Sequence, residues 1–206
     1  MPNMSSFSGF AAPESLLTAI GRVAVRSAGF EERLRDVVLD MADVSDESGA
    51  GWVIFEGQNA TWLIDNGLAM LDRYAEDGWE EAVRFGPNIE RLRELLKEAQ
   101  RLKEDRNVII HGVWRPFHRS GFDGKPVFGD VRSTNTLDSK DVFHVFRSRY
   151  RKTFDAQVWS TEDVEVVADR FEVLEQKLIA TYEDACDWPP TGTLRAATHH
   201  IRLRPF

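Results

Sequence analysis

The sequence contains very little cysteine, since Cys186 is its only one. A lone cysteine cannot form an internal disulfide, so the fold does not rely on the crosslinks that small secreted domains use. The chain also has no stretch that approaches the roughly 20 apolar residues needed to span a bilayer. Residues 1–12 lack the basic start and the apolar core of a signal peptide. These absences predict a cytoplasmic protein without a membrane partner, with residues 1–12 as a flexible N-terminus.

Basic residues are outnumbered, and the formal net charge of −8 argues against nucleic-acid binding by the whole surface. The charge is unevenly distributed, however. Residues 112–154 carry nine Lys/Arg against four Asp/Glu, whereas residues 161–187 carry two against nine. Two interpretations stay open at this point. Either a cationic face lies beside an acidic helix, or both are ordinary solvated faces.

Apolar residues at steps of three and four predict four long helices, because this spacing places them on one helical face. The first is expected from Glu14 to Met41, the second over residues 52–75, and the third from Ile89 to His111. A fourth is predicted to begin at Ser160, since this cap residue has an acid, Asp163, three positions on. Trp188-Pro189-Pro190 then ends it, and residues 188–206 are expected to form a loosely ordered basic tail.

Between the third and fourth helices, Gly and Pro punctuate short runs rich in Val and Phe, which is typical of strands and turns. Strands are predicted at Val113–Phe117 and Val127–Arg132. The run Val142–Trp159 fits either a strand or a helix, and we favour a strand. The fold class is therefore mainly α: a helical bundle with a β-containing insertion, about residues 113–159, before the last long helix. Residues 13–187 are expected to form a single domain.

The residues with the clearest chemistry lie at the end of the third helix. Arg106 is a permanent cation with planar donors suited to phosphate, and His111 can exchange a proton near neutral pH. Asn107 shares a helix face with His111 and can hydrogen-bond to it. Arg106 and His111 lie about 140° apart around the helix, so a long side chain or a second copy must bring them together.

This segment, Arg106-Asn107-Val108-Ile109-Ile110-His111-Gly112-Val113-Trp114, resembles the R-x-x-x-x-H motif of HEPN domains. In many members a polar residue follows the Arg, as Asn107 does here, and the His-Gly and the aromatic two positions later are also similar. The order of helices over residues 14–184 fits a HEPN-like helical bundle. Arg195 and His200 have the same spacing, but no amphipathic helix precedes them, so we interpret that pair as coincidence.

The resemblance implies a homodimer whose facing motif helices form a composite site. It also implies metal-independent cleavage of RNA without a cofactor, as in toxins paired with an antitoxin protein or in defence effectors. Arg106, His111 and Asn107 would be the catalytic residues. His111 would act as general base or acid on the ribose 2′-hydroxyl or the 5′-oxygen, and the product would be a 2′,3′-cyclic phosphate. Arg106 would stabilise charge on the phosphate.

Other readings of these residues are structural. His111 can cap the last helical carbonyls, and Arg106 can pair with Asp105 or another acid. Trp114 is a packing residue in preference to a platform for base stacking. The alternative function is a non-catalytic HEPN-like module that binds a nucleotide or a protein partner.

Four further arginines are candidates for RNA binding. As a strand, the 142–159 run places several of them on one face, where they either track a phosphate backbone or form a solvated strand edge. The candidates are Arg115, Arg147, Arg149 and Arg151.

Overall fold

The computed structural model describes residues 11–42, 55, 57–77, 86–117, 129–139, 141–149 and 153–187. Within them, four α-helices are formed: α1 (Glu14–Met41), α2 (Ala60–Asp77), α3 (Ile89–His111) and α4 (Thr161–Asp187). Four strands form one sheet: β1 (Val113–Pro116), β2 (Asp130–Val131), β3 (Val142–Arg149) and β4 (Thr153–Ser160). The prediction of a mainly α fold with strands before the last long helix is confirmed. Residues 1–10 and the basic tail 188–206 lie outside the described residues, so those predictions stay untested.

The core is built on α1 and α4. Every third or fourth side chain of α1 is buried, as its sequence pattern predicts. The ring of Phe30 packs on that of Phe171 in α4, with 6.0 Å between the centroids. Leu174 and Leu178 of α4 are almost entirely buried in the same core. Burying a side chain of this size stabilises the fold by about 1.5–3 kcal/mol, so this helix pair is a main source of stability.

The acidic α4 is paired with arginines of α1, which the sequence alone did not reveal. Three arginines on one face of α1 meet four carboxylates of α4, and the two series rise together, so the helices run parallel. Exposed pairs of this kind each contribute less than about 1 kcal/mol, but together they fix the relative register of the helices. The pairs are Arg22 with Glu165 and Asp169, Arg26 with Glu172, and Arg33 with Glu175.

The start of α2 differs from its prediction. The helix begins at Ala60 rather than at residue 52, and residues 57–59 are not helical. Asn59 is the reason, because its Oδ1 accepts a hydrogen bond from the backbone N–H of Trp62 at 3.0 Å and so caps the helix. Phe55 and Leu71 are buried in the core, and Trp62 and Leu68 are partly buried against it.

The sheet has the strand order β1-β3-β4-β2, and β2 pairs with β4 in parallel whereas the other pairs are antiparallel. The strand interpretation of residues 142–159 is therefore confirmed, but the run forms two paired strands and not one. The strand predicted at Val127–Arg132 is short, covering only Asp130–Val131 of the described residues. Trp159 of β4 is fully buried and anchors the sheet in the common core.

The fourth helix starts where its capping signal predicts. Asp163 Oδ2 accepts hydrogen bonds from the N–H and the hydroxyl of Ser160, both at 2.8 Å, and the N–H of Asp163 donates to Ser160 Oγ at 3.1 Å. This reciprocal arrangement satisfies N–H groups that a helix start leaves unpaired. Within the described residues, no helix has both the length and the apolar character required to cross a bilayer.

Candidate functional site

Arg106 interrupts the buried stripe of α3. The stripe includes Leu102 and Ile109, and Arg106 lies four residues after the first and three before the second. At about 100° per residue it therefore sits on the core-facing side of the helix, and its side chain is partly buried. A cation where the pattern calls for an apolar residue is a local inconsistency of the kind that functional sites show.

The guanidinium of Arg106 is held by Asn107 and by no acid. Its Nη1 donates to Asn107 Oδ1 at 3.1 Å, and among the described residues no carboxylate forms an ion pair with it. The neighbouring carboxylate is occupied elsewhere, because Asp105 bonds to Arg132 and lies 3.9 Å from Nη1 of Arg170. The structural alternative in which Arg106 pairs with Asp105 is therefore wrong, and the charge of Arg106 is available to an anionic ligand.

Asp105 ties the motif helix to the inserted segment. Only 14% of its side chain is exposed, and this burial raises the pKa of its carboxyl, with Arg132 and Arg170 offsetting the effect only in part. The guanidinium of Arg132 also lies over the ring of Trp159, 4.8 Å from the centroid. Sequence reasoning missed this link, because Asp105 and Arg132 are 27 residues apart and no local pattern joins them.

His111 is the last residue of α3 and its side chain is exposed. It makes no side-chain hydrogen bond within the part of the chain that the structure describes. The capping role considered for it is filled by other groups, since Gly112 N donates to Val108 O at 2.8 Å and Trp114 Nε1 donates to Ile109 O at 3.1 Å. The imidazole is therefore free to meet a ligand from solvent.

The expected hydrogen bond between Asn107 and His111 is not formed. The amide oxygen of Asn107 accepts from Arg106 instead. Arg106 and His111 are separated by five residues, which is about 7.5 Å along the helix axis and about 140° around it. The structure thus brings Arg106 and Asn107 together and leaves His111 apart from both.

Gly112 allows the chain to turn tightly from α3 into β1. A Cβ atom at this position would lie 2.3 Å from Cγ1 of Val145 and 2.5 Å from the carbonyl oxygen of Val108. The end of the motif helix is therefore pressed against β3, which fixes the position of His111. Trp114 is partly buried and packs edge-on against Phe143, with 5.9 Å between ring centroids. Its interpretation as a packing residue agrees with this contact.

The four candidate RNA-binding arginines do not form one described surface. Arg115 is exposed on β1, whereas Arg147 is partly buried on β3. Arg149 ends β3, and its side chain is not among those described. Arg151 lies outside the described residues, as do Arg195 and His200 of the second motif-like pair.

No group of three or more His, Cys, Asp or Glu side chains with the arrangement of a metal site occurs within the described residues. Comparisons of the chain with protein-family models, with curated proteins and with solved structures found no match. The functional argument therefore rests on the chemistry of the α3 end alone.

Proposed function

We propose that the protein is a HEPN-type, metal-independent endoribonuclease that acts as a homodimer. The observation that carries the proposal is the arrangement at the end of α3. There an exposed imidazole, His111, accompanies a cation, Arg106, whose only partner within the described residues is the amide of Asn107. A structural arginine in a partly buried place normally has an acid partner. An arginine held in position by an amide keeps its charge for a phosphate.

The proposed reaction is transfer of a phosphoryl group within RNA. The 2′-oxygen attacks the adjacent phosphorus, the bond from phosphorus to the 5′-oxygen breaks, and a 2′,3′-cyclic phosphate is formed. His111 removes the proton of the 2′-hydroxyl or delivers one to the leaving 5′-oxygen. Arg106 stabilises the negative charge on the non-bridging oxygens as it builds up. Asn107 positions the guanidinium of Arg106 and does not orient His111, because its amide oxygen accepts a hydrogen bond from Arg106.

A second copy of the chain supplies the geometry that one copy lacks. Arg106 and His111 point to different sides of α3, so a phosphate bound at one is not within reach of the other on the same helix. In a twofold dimer that brings the two α3 ends together, the long and only partly buried side chain of Arg106 would extend from the core-facing side of one helix towards the partner's His111. The dimer is thus part of the proposed mechanism, and the cellular role would be that of a cytoplasmic toxin or defence effector, with an antitoxin as a further partner.

The decisive experiment is cleavage of total RNA and tRNA in EDTA by the purified protein. We expect His111→Ala to lower the rate by about 10²–10⁴-fold and Arg106→Ala by about 10²–10³-fold. Fragments should end in a cyclic phosphate, and a DNA of equal sequence should stay intact because it lacks the 2′-hydroxyl. Arg101→Ala is the matched control, since Arg101 is an exposed arginine on the same helix.

The proposal fails if both motif variants cleave RNA as fast as the wild type, or if EDTA stops cleavage. The melting temperature of each variant separates lost chemistry from lost folding. One observation favours the second candidate, a non-catalytic HEPN-like module that binds a nucleotide or a protein. This observation is the separation of Arg106 from His111 within one chain. That function predicts a dimer with intact RNA in every sample.

A further inference from the structure

Arg147 lies beside the end of the motif helix. In the β1–β3 register Val113 is opposite Phe146, so Arg147 is the next residue of β3 towards Gly112. Alternate residues of a strand share a face, and Arg147 therefore shares its face with Val145. That face meets α3, because Cγ1 of Val145 occupies the space where a Cβ on Gly112 would lie. The register thus places Arg147 next to the turn that carries His111.

The guanidinium of Arg147 has a buried nitrogen without an acceptor. Its Nη1 is inaccessible to solvent and makes no hydrogen bond, although Arg147 is opposite Asp155 in the β3–β4 register. A buried donor of a charged group without a partner is costly, so such groups are normally paired. Other arginines of the described residues follow that rule and bond to carboxylates: Arg22, Arg26, Arg33, Arg93, Arg132 and Arg170.

The two described candidate arginines of the sheet lie on opposite faces. Arg115 is opposite His144 in the register, so it belongs to the face away from Val145 and Arg147. A single flat RNA-binding stripe along the sheet is therefore not what the strands present. Arg147 lies on the face of the sheet that meets α3, and Arg115 lies on the opposite face.

We propose that Arg147 binds a phosphate group of the RNA beside His111 of the same protomer. This inference rests on the proposed function and adds to it a cation that comes from the inserted sheet and not from α3. Arg106 lies on a different side of α3 from His111, whereas Arg147 is one residue beyond the Val113–Phe146 pair on the side of Gly112. Arg147 as a whole is only partly buried, so a phosphodiester at the exposed part of its guanidinium would hold the ribose against the imidazole.

The test measures binding of a short 2′-O-methyl RNA, which has no free 2′-hydroxyl and so is not cleaved. Fluorescence anisotropy gives Kd at several salt concentrations for the wild type, Arg147→Gln, Arg147→Lys and Arg91→Gln. Arg91 is the matched control, as an exposed arginine about 30 Å from His111 along α3. We expect Arg147→Gln to weaken binding about 10-fold and to reduce the slope of log Kd against log salt by about one. Arg147→Lys should retain part of the affinity, and Arg91→Gln should change Kd less than 2-fold.

Three results would overturn the inference. Equal Kd values for Arg147→Gln and Arg91→Gln would show that Arg147 does not touch RNA. Equal losses of melting temperature for Arg147→Gln and Asp155→Asn, with RNA affinity unchanged, would assign Arg147 to a structural ion pair. A rise in the melting temperature of the wild type with millimolar inorganic phosphate, in a protein that binds no RNA, would assign the site to a free anion.

Cleavage of unmodified RNA by the same samples separates this inference from the proposed function. If the wild type binds the modified RNA through Arg147 but cleaves nothing, the nuclease proposal fails and the phosphate site stands. If the wild type cleaves RNA and Arg147→Gln leaves both KM and kcat unchanged, the phosphate site fails and the nuclease proposal stands.

Discussion

The inserted sheet lies between the end of α3 and the start of α4, and these two helix ends differ in how their polar groups are paired. At the start of α4, the carboxylate of Asp163 accepts hydrogen bonds from Ser160 and from Thr136 Oγ1, the latter at 2.8 Å. At the end of α3, His111 is exposed and has no hydrogen bond to a described residue. Beside it, a buried nitrogen of Arg147 has no partner. The start of α4 also has an unpaired buried atom, the hydroxyl oxygen of Thr161, but this group is neutral, whereas the unpaired group near the end of α3 is a cation.

The difference separates hydrogen bonds that stabilise the fold from polar groups that are left for a ligand. The hydrogen bonds at the start of α4 are local or reach a nearby turn, and each adds about 0.5–1.5 kcal/mol. An unpaired buried donor costs about 1–3 kcal/mol, and the cost is greater for a charged group. The charge of Arg147 and the exposure of His111 are why we propose a ligand at the end of α3 rather than at the start of α4.

The largest effect on stability is expected from Gly112→Ala, a substitution at the end of α3. The new Cβ would overlap Val145 Cγ1 and the carbonyl oxygen of Val108, and overpacking of this kind costs about 3 kcal/mol. The displaced α3 end should also lose RNA cleavage. Urea unfolding measures the first effect, with Gly21→Ala as control. Gly21 is an exposed residue of α1 with no atom near its would-be Cβ, so that change should stabilise by about 0.5–1 kcal/mol. An unchanged midpoint for Gly112→Ala would refute the tight turn.

Asp163→Ala should have the next largest effect on stability, because it removes the acceptor of the hydrogen bonds at the start of α4. The variant loses the cap of α4 and leaves the buried hydroxyl of Thr136 without its acceptor. We expect a loss of about 2 kcal/mol in the free energy of unfolding, with RNA cleavage by the remaining folded protein unchanged. Asp169→Ala on the same helix is the control, since Asp169 is exposed and, among the described residues, is paired only with Arg22, so its loss should cost less than about 0.5 kcal/mol. Equal losses in the two variants would remove the special role of the cap.

Acid titration should give a smaller effect of opposite sign at the two ends. Burial raises the pKa of Asp105 above 3.8, so its contribution to stability is present below pH 3.8 and is lost as the pH rises through its folded pKa. For Asp163, burial is outweighed by hydrogen bonds from Ser160, Thr136 and Ser133, which lower the pKa below 3.8. Its contribution is present above pH 3.8 and is lost as the pH falls through its folded pKa.

Urea midpoints of the wild type, Asp105→Asn and Asp163→Asn between pH 2 and 7 measure this pair of effects. As the pH falls, the urea midpoint of the wild type should rise relative to that of Asp105→Asn. At the acid end, it should no longer exceed that of Asp163→Asn. Parallel curves for all three proteins would contradict the opposite shifts of the two pKa values.

The sequence predicted those parts of the fold that depend on local rules. The start of α4 follows from Ser160 and Asp163 three positions apart, and α1 follows from its apolar spacing. The prediction of one helix from residue 52 missed the break at residues 57–59, because the apolar pattern already begins before the point where Asn59 caps α2. Whether residues 142–159 form one strand or two depends on the antiparallel pairing of β3 with β4, which local pattern does not encode.

At the candidate site, the residue types were predicted from the sequence but their partners were not. Arg106, Asn107 and His111 were identified from their spacing, and that spacing also predicted their separation around the helix. The ion pair of Asp105 with Arg132 joins segments distant in sequence, so only the tertiary structure reveals it. The face on which Arg147 lies depends on strand register, since a shift of one residue would turn it away from α3.

The short span between the two helix ends also bears on the history of the chain. β1 and β4 both pair with β3, so the exit from α3 and the entry to α4 lie about 10 Å apart across the sheet and a few residues apart along it. A linker of a few residues would join the helices directly. The inserted sheet is therefore not needed to connect the helices, and it is the part of the chain that can change in length and sequence during evolution while the helices keep their positions.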